Sequence, residues 1–227
     1  MTKARIASAF VLVLAATSTA AANTTVTGKL ELPAAPELPP MTRQGFVPRA
    51  ENALRAPQPQ AVAPYVVVVL DGTPGGAAPQ VSWSLLGDAF SHPVIAAMAG
   101  ADVVITNTSH TPRTLSTVED KTLSGELLNP TGGKTLHVEA GKTYTVHDPD
   151  APYVWGRIVV VATPYIGYLD ATGKFEIPDV PEGTYKLRVY YKDGWVDVDR
   201  DTVTVPAKGK PVDASAKVAS LKPGAAK

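Results

Sequence analysis

The chain has 227 residues, enough for one large or two small domains that each bury a core. It contains no cysteine, which excludes a disulfide framework, thiolate metal ligands and thiol nucleophiles. Lys plus Arg and Asp plus Glu number 21 each, so no basic excess points to nucleic acid or to an anionic membrane surface.

The first 22 residues carry Lys3 and Arg5 ahead of a short apolar run from Ile6 to Ala16, and they end in Ala20, Ala21 and Ala22. A basic start, a short apolar centre and a small-residue end are the parts of a secretory signal peptide, and the run is too short to span a bilayer. Export is therefore expected, with cleavage near Ala22, to the periplasm or the cell exterior. The mature chain would keep 19 basic and 21 acidic residues and no membrane span.

Residues 23–33 read as one strand, with Val26, Leu30 and Leu32 as strand formers and an alternation broken at Gly28. Residues 34–64 hold Pro36, Pro39, Pro40, Pro48, Pro57, Pro59 and Pro64, a density that prevents regular ladders, and so predict an extended connector. The run YVVVVLDGT from Tyr65 is apolar on both faces, as in a buried central strand. Val81, Trp83 and Leu85 alternate as in a half-buried strand. For Pro93 to Met98 a helix competes, because alanine favours helices; the short length and flanking turn signals favour a strand. Further strands are expected at Val103–Asn107, Leu136–Val138 and Thr143–His147. A loop rich in Asp and Pro should follow His147, and then the strand GRIVVVAT. Residues 162–207 predict three or four strands with turns at Asp170–Gly173 and Pro181–Gly183. Residues 208–227, rich in Lys, Ala, Gly and Pro, read as a disordered tail. Many short strands punctuated by Gly and Pro, with no sustained helical period, predict an all-β protein built from antiparallel sandwiches. There is no phosphate-binding glycine loop and no serine-nucleophile elbow.

Two stretches carry a resemblance. FSHPVIAAMAGADVVITNTSHTPRTLST and YTVHDPDAPYVWGRIVVV resemble the plastocyanin-like cupredoxins, which implies a Greek-key β-sandwich over residues 65–161. DATGKFEIPDVPEGTYKLRVYY resembles the carboxypeptidase-regulatory-like or transthyretin-like module, a second small β-sandwich over residues 162–207. In that module the G-x-F-x-I pattern pairs with an early V-x-G-x-L strand, here Val26, Gly28 and Leu30. The cupredoxin resemblance implies copper ligands at His110 and at positions that fall on or near Asp148, Ala151 and Val154. A blue copper centre needs a thiolate, and this chain has none.

The chain has four histidines, His92, His110, His137 and His147. His110 and His147, with Asp148 or Asp150, would offer a nitrogen and oxygen donor set for Cu(II) or Zn(II) at the sandwich end. The plainer reading makes each a loop or surface residue, His92 a turn residue before Pro93. The Asp197, Asp199 and Asp201 series alternates with valine as the wet face of a strand does. Tyr191 and Trp195 are candidate exposed contact residues for a partner, since large rings bury much area at little entropic cost. The expectation is a non-enzymatic, cofactor-free binding or structural protein of the cell envelope whose partner is a protein or a glycan. The alternative is a periplasmic copper-binding protein using His110 and His147 without electron transfer.

Overall fold

Valine, isoleucine, threonine and aromatic residues fill the apolar runs of this chain, and their branched or planar side chains suit a pleated surface. The computed structural model, which describes residues 23–34, 61–72, 76–207 and 210–222, is all-β apart from one 3-10 turn at Ala63–Tyr65. The expected signal peptide and all but the ends of the expected connector lie outside the described residues. Among the described residues no helix is long and apolar enough to cross a membrane.

In chain order the strands are β1 (Thr24–Glu31), β2 (Val66–Asp71), β3 (Val81–Leu86), β4 (Ala89–Phe90), β5 (Val94–Met98) and β6 (Asp102–Asn107). Then come β7 (Arg113–Thr117), β8 (Ser124–Leu128), β9 (Gly133–His137), β10 (Thr143–Asp148) and β11 (Ala151–Val161). The last are β12 (Ile166–Tyr168), β13 (Lys174–Val180), β14 (Gly183–Tyr191), β15 (Gly194–Val196), β16 (Thr202–Val205), β17 (Val212–Asp213) and β18 (Ala216–Lys217).

One sandwich packs the sheet β5-β11-β10-β7-β8 on the sheet β4-β3-β6-β9. Strands distant in sequence lie side by side, and two of the pairs, β3 with β6 and β5 with β11, are parallel. Its core joins Trp83, Ile105, Leu115, Leu136, Tyr144, Val146 and Ile158. The Trp83 ring stacks on Phe90 at 4.0 Å between centroids, and it fits because the facing β11 position is Gly156, where any Cβ would strike the indole. The helix alternative for Pro93 to Met98 is not taken. The segment is β5, with Val94 to Ala97 all buried, because Ile95 and Ala97 face the sandwich core while Val94 and Ala96 face the opposite way.

The second sandwich packs β13-β1-β17, with β18 continuing along β1, against β12-β2-β14-β15, with β16 also on β14. Three expectations are corrected here. The strand from Tyr65, expected in the first sandwich, is β2, which pairs with β12 and β14 of the second. Its double-sided apolarity is real: Val66, Val68 and Leu70 enter the second sandwich's core, while Val67 and Val69 turn outward to meet the first. Residues 210–222, within the expected disordered tail, instead supply β17 and β18, because Ala214, Ala216 and Val218 bury into that same core. The loop expected after His147 shrinks to the turn at Pro149 and Asp150, since β11 already begins at Ala151.

The seam between sandwiches buries Val67, Val69 and Tyr190 against Val94, Ala96, Val159 and Val161. Across it Arg157 donates to the Lys192 carbonyl at 3.1 Å and to Asp193 at 2.6 Å, and the Ala96 N–H donates to the Tyr168 hydroxyl at 3.3 Å. Each buried valine contributes about 1.5–3 kcal/mol. The ion pair, whose Asp193 side chain is 68% exposed, contributes on the order of 0–1 kcal/mol. Apolar burial therefore holds the seam, and the ion pair adds little.

Candidate functional site

The end of the first sandwich near the β10–β11 turn is where the resemblance would place a metal, and its side chains come from three segments. β10 alternates strictly: Tyr144, Val146 and Asp148 point inward, and Thr143, Thr145 and His147 point outward. Asp148 is thus a carboxylate aimed at the interior, with a side chain 3% exposed. It accepts the Asp150 N–H at 2.9 Å, which shapes the turn. Arg113, at the start of β7, shares the inward side of Leu115, and its Nη1 lies 3.7 Å from the Asp148 carboxylate. Its Nη2 bonds Asp88 in the turn between β3 and β4, so the guanidinium joins the two sheets. Burial alone would lower the Arg113 pKa, but a hydrogen bond to Tyr153 and the charges of Asp88 and Asp148 outweigh it, raising the pKa above the ordinary guanidinium value. Arg113 Nε is buried and meets no acceptor among the described residues.

Asn107 organises the neighbouring loop. It is fully buried at the end of β6, its amide donates to the Thr111 and Leu128 carbonyls at 2.9 Å each, and its oxygen accepts from Ser109. This fixes the loop that carries His110, whose side chain is exposed.

Two of the expected metal donors, His147 and Asp148, lie on opposite faces of β10. His147 sits on the outer sheet face, opposite Trp155 on β11 and Ser116 on β7, because a one-residue offset along a strand reverses the face. Ala151 and Val154 are core residues with no donor atoms. Asp148 and Asp150 lie in one turn, but Asp148 is committed to Arg113. Among the described residues no three His, Cys, Asp or Glu side chains gather to hold an ion. A metal bonded to Asp148 would also sit close to a permanent positive charge. Two unit charges about 4 Å apart repel by about 4 kcal/mol at an effective dielectric of about 20. The residues present do not fit a copper centre at this end.

His137 pairs with Asp102 at 2.9 Å on an exposed surface. His92 is half-buried, with its ring 5.0 Å from that of Tyr168 across the seam, and burial pushes its pKa below the usual imidazole value. The two expected contact residues are accounted for inside the molecule. Tyr191 is 6% exposed and belongs to the second sandwich's core, a correction that follows from its place opposite β2. Trp195 is half-buried, with its ring perpendicular to that of Tyr190 and the Arg188 guanidinium 3.8 Å above it. An open groove of about 740 Å³ runs over β1 and β13, lined by Lys29, Lys174, Glu176, Asp213 and Ser215. Part of its polar lining is already paired, as in the 2.6 Å bond from Ser215 to Asp213.

Sequence reading missed Arg113, Asp88, Tyr153 and Asn107. Arg113 stands in a stretch that reads as polar loop, and nothing local announces partners on two distant turns.

A family model described as domain II of polysaccharide lyase family 4 matches residues 160–212. No curated protein matches. Among solved structures, a reduced amicyanin variant is similar at 19% identity and a TM-score of 0.32, covering 35% of this chain and 80% of its own. A purple cupredoxin from Nitrosopumilus maritimus is similar at 15% identity and a TM-score of 0.31, covering 35% of this chain and 98% of its own. These likenesses are partial and transfer no chemistry to this chain.

Proposed function

We propose that this is an exported, non-enzymatic binding or structural protein of the cell envelope, a cupredoxin-like sandwich without a type 1 copper site joined to a regulatory-like sandwich. One observation carries the reading: the inward residue at the end of β10 is Asp148, and it is matched with the Arg113 guanidinium. A structural ion pair stands where the resemblance would require a thiolate and an open metal position. The partner is a protein or a glycan of the envelope. The match of residues 160–212 to domain II of a polysaccharide lyase family supports the glycan side of that choice.

Isothermal titration of Cu(II) into the protein and into His110→Ala tests it. No stoichiometric binding to either is the expected result. Micromolar binding that is lost in His110→Ala would replace this reading with the copper-binding alternative through His110 and His147.

A further inference from the structure

The cupredoxin resemblance implies a metal cation at one end of the sandwich, and the residues found there do not fit one. We infer that Arg113 is the resident cation of that end: its guanidinium takes the electrostatic place of a metal ion and ties the β3–β4 turn, β7 and the β10–β11 turn together. The inference rests on the proposed reading that no copper is held there.

Asp148 carries the argument. Its side chain is 3% exposed, and a charged carboxylate so buried is stable only when it is paired; beyond the Asp150 N–H, its partner is Arg113. Arg113 Nη1 is the cationic group that meets it among the described residues. Arg113 also bonds Asp88 on the facing sheet's turn. A guanidinium is planar, permanently charged and carries five donors, so it can bridge several oxygen ligands as a coordinated ion does. Unlike an ion, it cannot be exchanged or chelated away. Removing it leaves Asp148 and Asp88 facing a space that a small cation can enter, and their oxygen donors suit Ca(II).

The experiment compares thermal unfolding of the parent, Arg113→Ala and the Arg113→Ala/Asp148→Asn double variant, with and without about 10 mM CaCl₂ at matched ionic strength. That concentration lies roughly tenfold above the weak end of calcium sites. The parent midpoint should not move with Ca(II). Arg113→Ala should melt several degrees lower and recover part of that loss in Ca(II), and the double variant should not respond. If Arg113→Ala does not fold alone, refolding it with and without Ca(II) gives the same reading, rescue supporting the inference and no rescue overturning it. An Arg113→Ala protein that folds but ignores Ca(II), or a double variant that responds equally, overturns the inference. A parent stabilised by Ca(II) overturns it too. The copper titration of the parent reports separately on the proposed function, so the two failures are distinguishable.

Discussion

Gly28 on β1 stands directly opposite Phe175 on β13, and a Cβ placed on Gly28 would lie 2.7 Å from the Phe175 ring and 2.8 Å from the Ala214 backbone. The missing side chain is what lets the ring fill the second sandwich's core and lets the C-terminal strap close over β1. Gly28→Ala is expected to cost about 1–3 kcal/mol, the usual range for overpacking, read as a lower denaturant midpoint. Phe175→Leu in the same chain should recover part of the loss. A wild-type midpoint for Gly28→Ala would show that the two strands do not approach this closely.

The C-terminal strap should be part of the fold. Ala214, Ala216 and Val218 are buried, and the Ala214 and Val218 N–H groups donate to the Thr27 and Glu31 carbonyls. Ending the chain at Ala207 is expected to lower stability by about 3 kcal/mol or more, given about 1.5–3 kcal/mol for Val218 and about 0.8 kcal/mol for each of the two alanine methyls. It should also raise binding of a hydrophobic dye. Unchanged unfolding of the truncated chain would return residues 210–222 to the status of a tail.

Because the seam is apolar, the two sandwiches should unfold together. Val159→Ala is expected to cost about 2 kcal/mol, combining lost transfer energy and a cavity, whereas Arg157→Met should cost less than about 1 kcal/mol. Far-ultraviolet dichroism and tryptophan fluorescence, with Trp83 in one sandwich and Trp195 in the other, should report one coincident transition in the parent. Two separated transitions would count against a load-sharing seam.

His92 gives the seam a pH dependence of definite sign. Burial places its folded pKa below its unfolded value of about 6.5. Between those two values the unfolded chain binds more protons, so stability is full above about pH 6.5 and declines as pH falls toward the folded pKa. No charged partner contributes to the shift; the ring faces Tyr168 of β12, and the neighbouring Arg157 is engaged with Asp193. His92→Gln should flatten the stability profile in this window. Equal slopes for parent and variant would locate the acid sensitivity elsewhere.

The sequence by itself determined the strand content, the absence of thiolate chemistry and the doubly apolar character of β2, because alternation and composition are local properties. The pairing of V-x-G-x-L with G-x-F-x-I was implied by the resemblance alone, and the structure supplies its physical reason, because Gly28 leaves room for the Phe175 ring opposite it. The tertiary structure alone decided which sandwich β2 joins, that alanine-rich residues after 210 become strands, and that Tyr191 faces inward. It also decided that Arg113 meets Asp88 and Asp148. Each of those outcomes depends on which distant surface a segment finds to bury against. That is a non-local choice, made by apolar area and by the need of a buried carboxylate for a partner, and neither is written in the neighbouring residues.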